Sequence, residues 1–340
     1  MSNKTAIVIT SIASDRNNVL QKIAQESQAR ELYFTVIGDE ISPLEFDLEG
    51  CDFYSIARQE VLELSFPKIC PKRHYARKNI GYLLAIQQGA EIIIETDDDN
   101  FPYESFWEKR ERSQTVSSIA NLGWCNVYKY FTDANIWPRG LPLDEVNSQS
   151  LPDWDTLETT LANCPIQQGL ANDNPDVDAI YRLILPLPQS FNNNRRIALA
   201  SGSWCPFNSQ NTTWWADAYP LLYLPAYCSF RMTDIWRSFI AQRIAWENGW
   251  SVLFHEPTVY QERNEHNLMR DFQEEISGYI HNKAIGQTLE NLKLTPGLHK
   301  LSENLLVCYE ALVSMGFIDK QELNLVQAWL DDLKKLQSNQ

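Results

Sequence analysis

Three short apolar runs rich in β-branched residues constrain this chain more than any other feature: 5–10 (TAIVIT), 32–37 (LYFTVI) and 91–96 (EIIIET). Each reads as a buried strand. After the first run, Ser14 or Asp15 is placed to cap a helix reaching about Gln28. A weaker strand and a helix start fall within 51–64. Before the third run, Ile80, Leu83, Leu84 and Gln87 keep helical spacing within about 71–88, and Gly89 sits where a C-cap belongs. A β-α-β-α-β order of this kind requires a parallel sheet with helices on both faces. Ligands of such sheets bind beyond the carboxyl ends of the strands. Thr10 and Ser11, Gly38 and Asp39, and the residues after Thr96 are therefore expected at one rim, with Thr10, Ser11 and Asp39 as candidate ligand contacts.

Several function classes are excluded by counting. Acidic residues number 44 and basic ones 29, a net charge of -15, which argues against nucleic acid or an anionic membrane as partner. The thirteen glycines are never closer than eight positions (Gly81 and Gly89, Gly278 and Gly286). Glycine-rich dinucleotide and phosphate loops and the G-x-S-x-G elbow all need closer pairs. The five histidines are at least eleven apart, which removes H-E-x-x-H zinc helices. Seven cysteines sit singly with no C-x-x-C, which suits reduced thiols in a reducing compartment. No apolar run approaches the roughly 20 residues of a membrane span, and Met1–Thr10 lacks the features of a signal peptide. The expected location is cytoplasmic, or peripheral at the inner face of a membrane.

The segment with the most chemistry is Glu95-Thr96-Asp97-Asp98-Asp99-Asn100. Three isoleucines precede it, so a buried strand delivers carboxylates to the rim. In extended chain Asp97 and Asp99 share a face, and two hard carboxylates there suit Mg²⁺ or Mn²⁺, which also take phosphate oxygens. A solvated acidic turn is the plainer alternative. The helix before it opens with the cationic groups of His74, Arg77 and Lys78.

The stretch from Ala76-Arg77-Lys78-Asn79-Ile80-Gly81 to Asp97-Asp98-Asp99 resembles the region of GT-A glycosyltransferases that runs from an A-R-N-x-G helix to the D-x-D strand. The resemblance implies an α/β GT-A fold: a Rossmann-like mixed, mostly parallel sheet with helices on both faces. It also implies a nucleoside-diphosphate sugar, UDP- or GDP-linked, as partner and Mn²⁺ or Mg²⁺ as cofactor. Arg77, Asp97 and Asp98 become nucleotide-sugar contacts and Asp99 a metal ligand, with Asp97 beside it. Further blocks narrow the family: Trp137 to Leu143, Gln167 to Asn172 with Pro175 to Asp178, Cys205 to Thr212, Ala226 to Arg237, and Ala241 to Arg243. In order, over roughly 70–265, they resemble the STELLO glycosyltransferases, relatives of the reversibly glycosylated polypeptides, the UDP-arabinopyranose mutases. The D-D-D here is closer to the mutases than to the D-A-D-D-R-G of plant STELLO proteins.

By that resemblance Asp234, entering an aromatic helix, stands where inverting GT-A enzymes place the general base; an N-cap role is compatible with it. Arg139, Asp176, Asp178, Trp204 and Asn208 are candidate acceptor or sugar contacts. For Arg139 a loop-ordering ion pair is the alternative, for the two aspartates a polar turn, and for the tryptophans core packing. His255 ends the apolar run 251–254 where a strand would deliver a third metal ligand, and His266 is a further candidate; a structural role is the alternative for both. The expected organisation is a glycosyltransferase domain over 1–283, with a nucleotide-sugar half (1–120) and an acceptor half (121–283), then a helical region over 284–340. Segment 141–195 reads as loop-dominated. The expected activity is metal-dependent transfer of a sugar to a glycan or glycolipid acceptor, with inversion. A nucleotide-sugar mutase and a non-catalytic scaffold for polysaccharide synthesis stay open, as does oligomerisation.

Overall fold

The computed structural model describes residues 4–147, 151–192, 194–264 and 267–338. In chain order the strands are β1 (Thr5–Thr10), β2 (Tyr33–Ile37), β3 (Asp52–Tyr54), β4 (Ile92–Thr96), β5 (Asn100–Pro102), β6 (Ser113–Ile119), β7 (Gly123–Trp124), β8 (Glu158–Asn163), β9 (Ile166–Asn172), β10 (Arg196–Leu199), β11 (Ser203–Trp204), β12 (Asn211–Trp215) and β13 (Val252–Gln261). The helices are α1 (Asn18–Ala29), α2 (Ile56–Glu60), α3 (Phe66–Ile69), α4 (Lys78–Gln87), α5 (Ala179–Ile184), α6 (Thr233–Glu247), α7 (Leu268–Glu290), α8 (Leu301–Ser314) and α9 (Glu322–Ser338).

Among the described residues, eleven strands join in one sheet, ordered β3-β2-β1-β4-β12-β9-β13-β10-β6-β8, with β5 pairing to β13. The first four are mutually parallel. β12 then enters antiparallel between β4 and β9, and β13 runs parallel to β9. The sheet is mixed as expected, with a larger antiparallel share than a β-α-β series alone would give. Its consequence is geometric. β1, β2, β4, β9 and β13 all end at one rim, and β12 begins there.

The helix of the first crossover starts later than either candidate cap. Ser14 accepts a backbone bond from Asn17, so the chain turns first, and the Asn17 side chain then caps Leu20 N at 2.9 Å. α4 lies hard against β1 and β2. A Cβ on Gly81 would stand 2.4 Å from Val8 Cγ1 and 3.0 Å from Ile37 Cγ1, so only glycine lets helix and sheet approach this closely.

A buried ion pair lies under the rim. Glu95 on β4 accepts from Arg237 of α6 at 2.9 Å and 2.8 Å, from Trp214 Nε1 at 2.8 Å, and from the Tyr82 hydroxyl. Both charged side chains are closed to solvent. With four donors on the carboxylate, the arrangement joins β4, β12, α4 and α6 at one point, although Arg237 Nε is left without a partner.

The C-terminal helices are part of the same core. α7 runs unbroken across residues 283 and 284, and Leu301, Tyr309, Leu325, Trp329 and Leu333 share one hydrophobic cluster with Tyr82, Phe66 and the sheet. Asp332 of α9 accepts from the Ser65 and Phe66 backbone at the start of α3. Glu322 accepts from Ala226 N at 3.0 Å, Tyr227 N at 2.6 Å and the Tyr223 hydroxyl. Among the described residues, no helix is long and apolar enough to cross a membrane, and all seven cysteines are free.

Burial pushes the Glu322 carboxyl up to about 7. The folded chain therefore keeps this proton over a range in which the unfolded chain has released it, and stability falls as pH rises through that range. Unfolding free energy measured in urea should drop by roughly 3 kcal/mol between about pH 4.5 and pH 7 from this group alone, and Glu322→Gln should flatten that slope.

Candidate functional site

The rim encloses a cavity of ≈540 Å³, a size suited to a nucleotide or sugar ligand. Its wall is built from strand ends: Thr10 and Ser11 at the end of β1, Gly38 and Asp39 after β2, Asp97–Asp99 after β4, Asn208–Gln210 before β12, and Gln261, Arg263 and Asn264 at the end of β13.

The acidic segment does not stay extended. Asn100 N bonds back to Asp97 O at 3.3 Å, so the chain turns, and all three aspartates line the cavity rather than Asp97 and Asp99 alone. The turn is clamped at its far side, where Glu262 N donates to Asp99 O at 3.0 Å and Gln261 Nε2 to Asp99 Oδ1 at 3.0 Å. Asp98 accepts from the Ser11 hydroxyl. Lys78, fully buried on α4, donates to Asp97 Oδ1 at 2.9 Å and to Ser209 O at 3.2 Å. Burial pushes all three carboxyls up, Asp97 to about 6; Lys78 opposes the push at Asp97 and Asp99 adds to it. The Asp97 side chain keeps 37 % of its surface open, so solvent tempers that effect.

Arg77 lines the cavity, but its guanidinium turns inward. It donates from Nε to Gln59 Oε1 at 2.8 Å and from Nη1 to Cys70 O at 2.9 Å. Gln59 in turn holds the carbonyls of Gly38 and Tyr54. Arg77 therefore orders the wall after β2. Asp39 does the same from the other side, accepting from the backbone of Arg73 at 2.8 Å and His74 at 3.0 Å. His74, Tyr75 and Phe230 pack as an aromatic group there, with Phe230 at 5.3 Å and 5.4 Å from the other two rings.

A second ion-pair unit faces the acidic turn. Arg139 donates to Asp176 at 2.8 Å and 2.9 Å, to Asp234 at 3.0 Å and 2.9 Å, and to Arg231 O. Ser209 N adds a bond to Asp234 at 3.2 Å. Burial would raise the Asp234 carboxyl, but the Arg139 guanidinium overrides it and holds the group well below the usual carboxylate range. Asp234 lies in the first turn of α6 without capping it.

Three expectations fall elsewhere. Asp178 is buried as the N-cap of α5, bonded to Tyr181 N and Trp137 Nε1, because P-D-V-D turns into a helix. Trp204 is core, stacked on Trp124 at 5.7 Å with Nε1 on Glu290. His255 lines a separate cavity of ≈40 Å³ beside Arg110 and Glu256, because β13 continues six residues past it and brings Gln261 to the rim instead. Burial pushes the His255 imidazole down to about 3. His266 lies outside the described residues. Arg182, Arg231, Arg263, Gln261 and Tyr75 line the cavity as well, beyond the residues expected there. The only sequence signal for three of them was an arginine just beyond a strand or beside a proline-rich turn.

Strand order, rim cavity and acidic turn define an α/β protein with a candidate ligand cavity at the carboxyl ends of its parallel strands. The family model for STELLO glycosyltransferases matches residues 231–339. Two Arabidopsis thaliana proteins described as probable glycosyltransferases, STELLO2 and STELLO1, are each 29 % identical over 317 residues, covering 87 % of this chain and 41 % and 40 % of their own lengths. The chain is thus similar to the STELLO glycosyltransferases, and it spans less than half the length of those two relatives. Among solved structures, a mycobacterial protein aligns with a TM-score of 0.42 at 11 % identity, over 94 % of this chain and 77 % of that one.

Removing Arg139 would leave two facing carboxylates without their cation. Arg139→Met should lower the unfolding free energy by about 3–5 kcal/mol in a urea titration near neutral pH. The depressed Asp234 contributes its stabilisation above the ordinary carboxylate pKa and loses it as pH falls, so the gap between wild type and Asp234→Asn should narrow toward about pH 2.

Proposed function

We propose that this chain is a metal-dependent glycosyltransferase of GT-A type, moving a sugar from a nucleoside-diphosphate sugar to a hydroxyl of a glycan or glycolipid acceptor. One observation carries the reading: three aspartates at the end of a buried strand open into a ligand-sized cavity at the rim where β1, β2 and β4 end. Homology to the STELLO proteins supports the same class.

A divalent cation suits the residues present. Among the described residues no group of three or more metal-binding side chains is assembled. Mg²⁺ needs fewer from the protein, commonly one or two carboxylates with phosphate oxygens and water completing its shell. Asp97 and Asp99 would hold it, and their mutual repulsion gives a cation something to offset. Bound there, the ion would stabilise the charge that develops on the departing diphosphate.

The remaining steps belong to side chains of the chain itself. Ser11 fixes the Asp98 carboxylate, and Gln261 fixes Asp99. Lys78 brings a buried positive charge to the cavity floor through Asp97. Arg77 and Asp39 order the wall after β2, where the His74, Tyr75 and Phe230 rings offer a face to a base or sugar. Tyr75 lines the same cavity, with its hydroxyl buried. Asp234 acts here as a positioning residue for Arg139 rather than as the general base. A carboxylate with lowered proton affinity takes an acceptor proton poorly.

Calorimetric titration of UDP and GDP, with and without Mn²⁺, tests the reading. Binding of one of them should require the metal and weaken at least about tenfold in Asp99→Ala. Metal-independent binding that Asp99→Ala leaves unchanged would reject it.

A further inference from the structure

The cavity wall also carries three arginines from three separate stretches of chain: Arg182 on α5, Arg231 before α6, and Arg263 after β13. Arg231 pairs with Glu275 at 2.9 Å and Arg263 with Asp271 at 2.7 Å. Arg182 has no such partner among the described residues. Its Nη2 donates to Pro175 O at 2.8 Å and its Nη1 to Asn174 Oδ1 at 3.4 Å, both neutral oxygens. Its Nε is buried and bonded to nothing. Burial, and then the nearby Arg263 and Arg231 guanidiniums, push Arg182 down to about 9 against the pull of Asp176. A guanidinium in this setting keeps its charge, and with only neutral oxygens on its Nη donors that charge is left for an anion in the cavity to offset.

We propose that Arg182, with Arg231 and Arg263, forms a subsite for a phosphate group carried by the acceptor, distinct from the donor diphosphate site at Asp97–Asp99. Three guanidiniums from separate stretches of chain, close enough to act on one another, suit an anion with several oxygens, and planar N–H forks match phosphate geometry. Arg182 and Arg231 lie off β1, β2 and β4, whose ends carry most of the residues assigned to the donor, while Arg263 follows Gln261, which holds Asp99, and borders that site. The word acceptor rests on the glycosyltransferase reading; the anion site itself does not.

The test is a calorimetric titration of inorganic phosphate into the full chain, free of metal and nucleotide. Wild type should bind one phosphate, Arg182→Gln should lose at least about tenfold in affinity, and Asp99→Ala should lose none. Arg263→Gln gives a second variant, whose affinity should fall as well, should Arg182→Gln fail to fold. No phosphate binding by wild type, equal binding by both arginine variants, or binding lost in Asp99→Ala would each overturn the proposal. So would an equal loss of Mn²⁺-dependent nucleotide binding in Arg182→Gln, since the arginines would then belong to the donor. Because the phosphate titration contains no metal, failure of the donor reading leaves its outcome intact. Repeating it with a hexose 1-phosphate and with farnesyl phosphate identifies the source: the form that binds tighter than inorganic phosphate is the one the site takes.

Discussion

The rim depends on a charge pair that never meets it. Glu95 and Arg237 sit beneath the cavity floor, and moving two such ions out of water costs several kcal/mol each before their attraction returns anything. What the pair fixes is position. Glu95 is two residues before Asp97 on β4, and Arg237 is three residues after Asp234 on α6. Arg237 also reaches Asn208 O at 3.2 Å, and Asn208 is itself part of the cavity wall. One buried contact therefore sets the spacing between the acidic turn, the Asp234 end of α6 and the entry into β12.

Much of the N-terminal half was legible because its signals are local. Residues 5–10, 32–37 and 91–96 are apolar runs of strand length, and β1, β2 and β4 occupy nearly those bounds. Topology then carried Thr10, Ser11, Asp39 and Asp97–Asp99 to one rim. The second half was harder for a physical reason. β9 (IQQGLAN) and β12 (NTTWW) lie in the middle of the sheet yet are rich in polar residues, so neither hydrophobic periodicity nor apolar content marks them. Their polar atoms are satisfied by one another: Gln168 accepts from Asn208 N and from the Thr212 hydroxyl, and Asn211 donates to Thr258. Partners that lie dozens of residues apart leave no trace in a local window.

Residue roles were less legible than residue locations. Arg77 and Asp234 both reach the cavity, but whether a side chain meets a ligand or braces a neighbour depends on what stands behind it. Gln59 and Cys70 claim the Arg77 guanidinium, and Arg139 claims both Asp234 oxygens. His255 shows the opposite error, where a strand end was placed too early. Val252 to Phe254 is apolar enough to read as a complete strand, while the following His255 to Gln261 continues the pairing with β9 through an irregular register.

The attachment of α9 has a bearing on the order of synthesis. Chains leave the ribosome from the N-terminus, and early segments generally organise first. Here Glu322 holds the backbone of Ala226 and Tyr227, a few residues ahead of the Arg231 and Asp234 stretch, and Asp332 secures the start of α3. Until these late carboxylates have emerged, the amides they bind have no partner. The walls assembled around them stay provisional through most of translation.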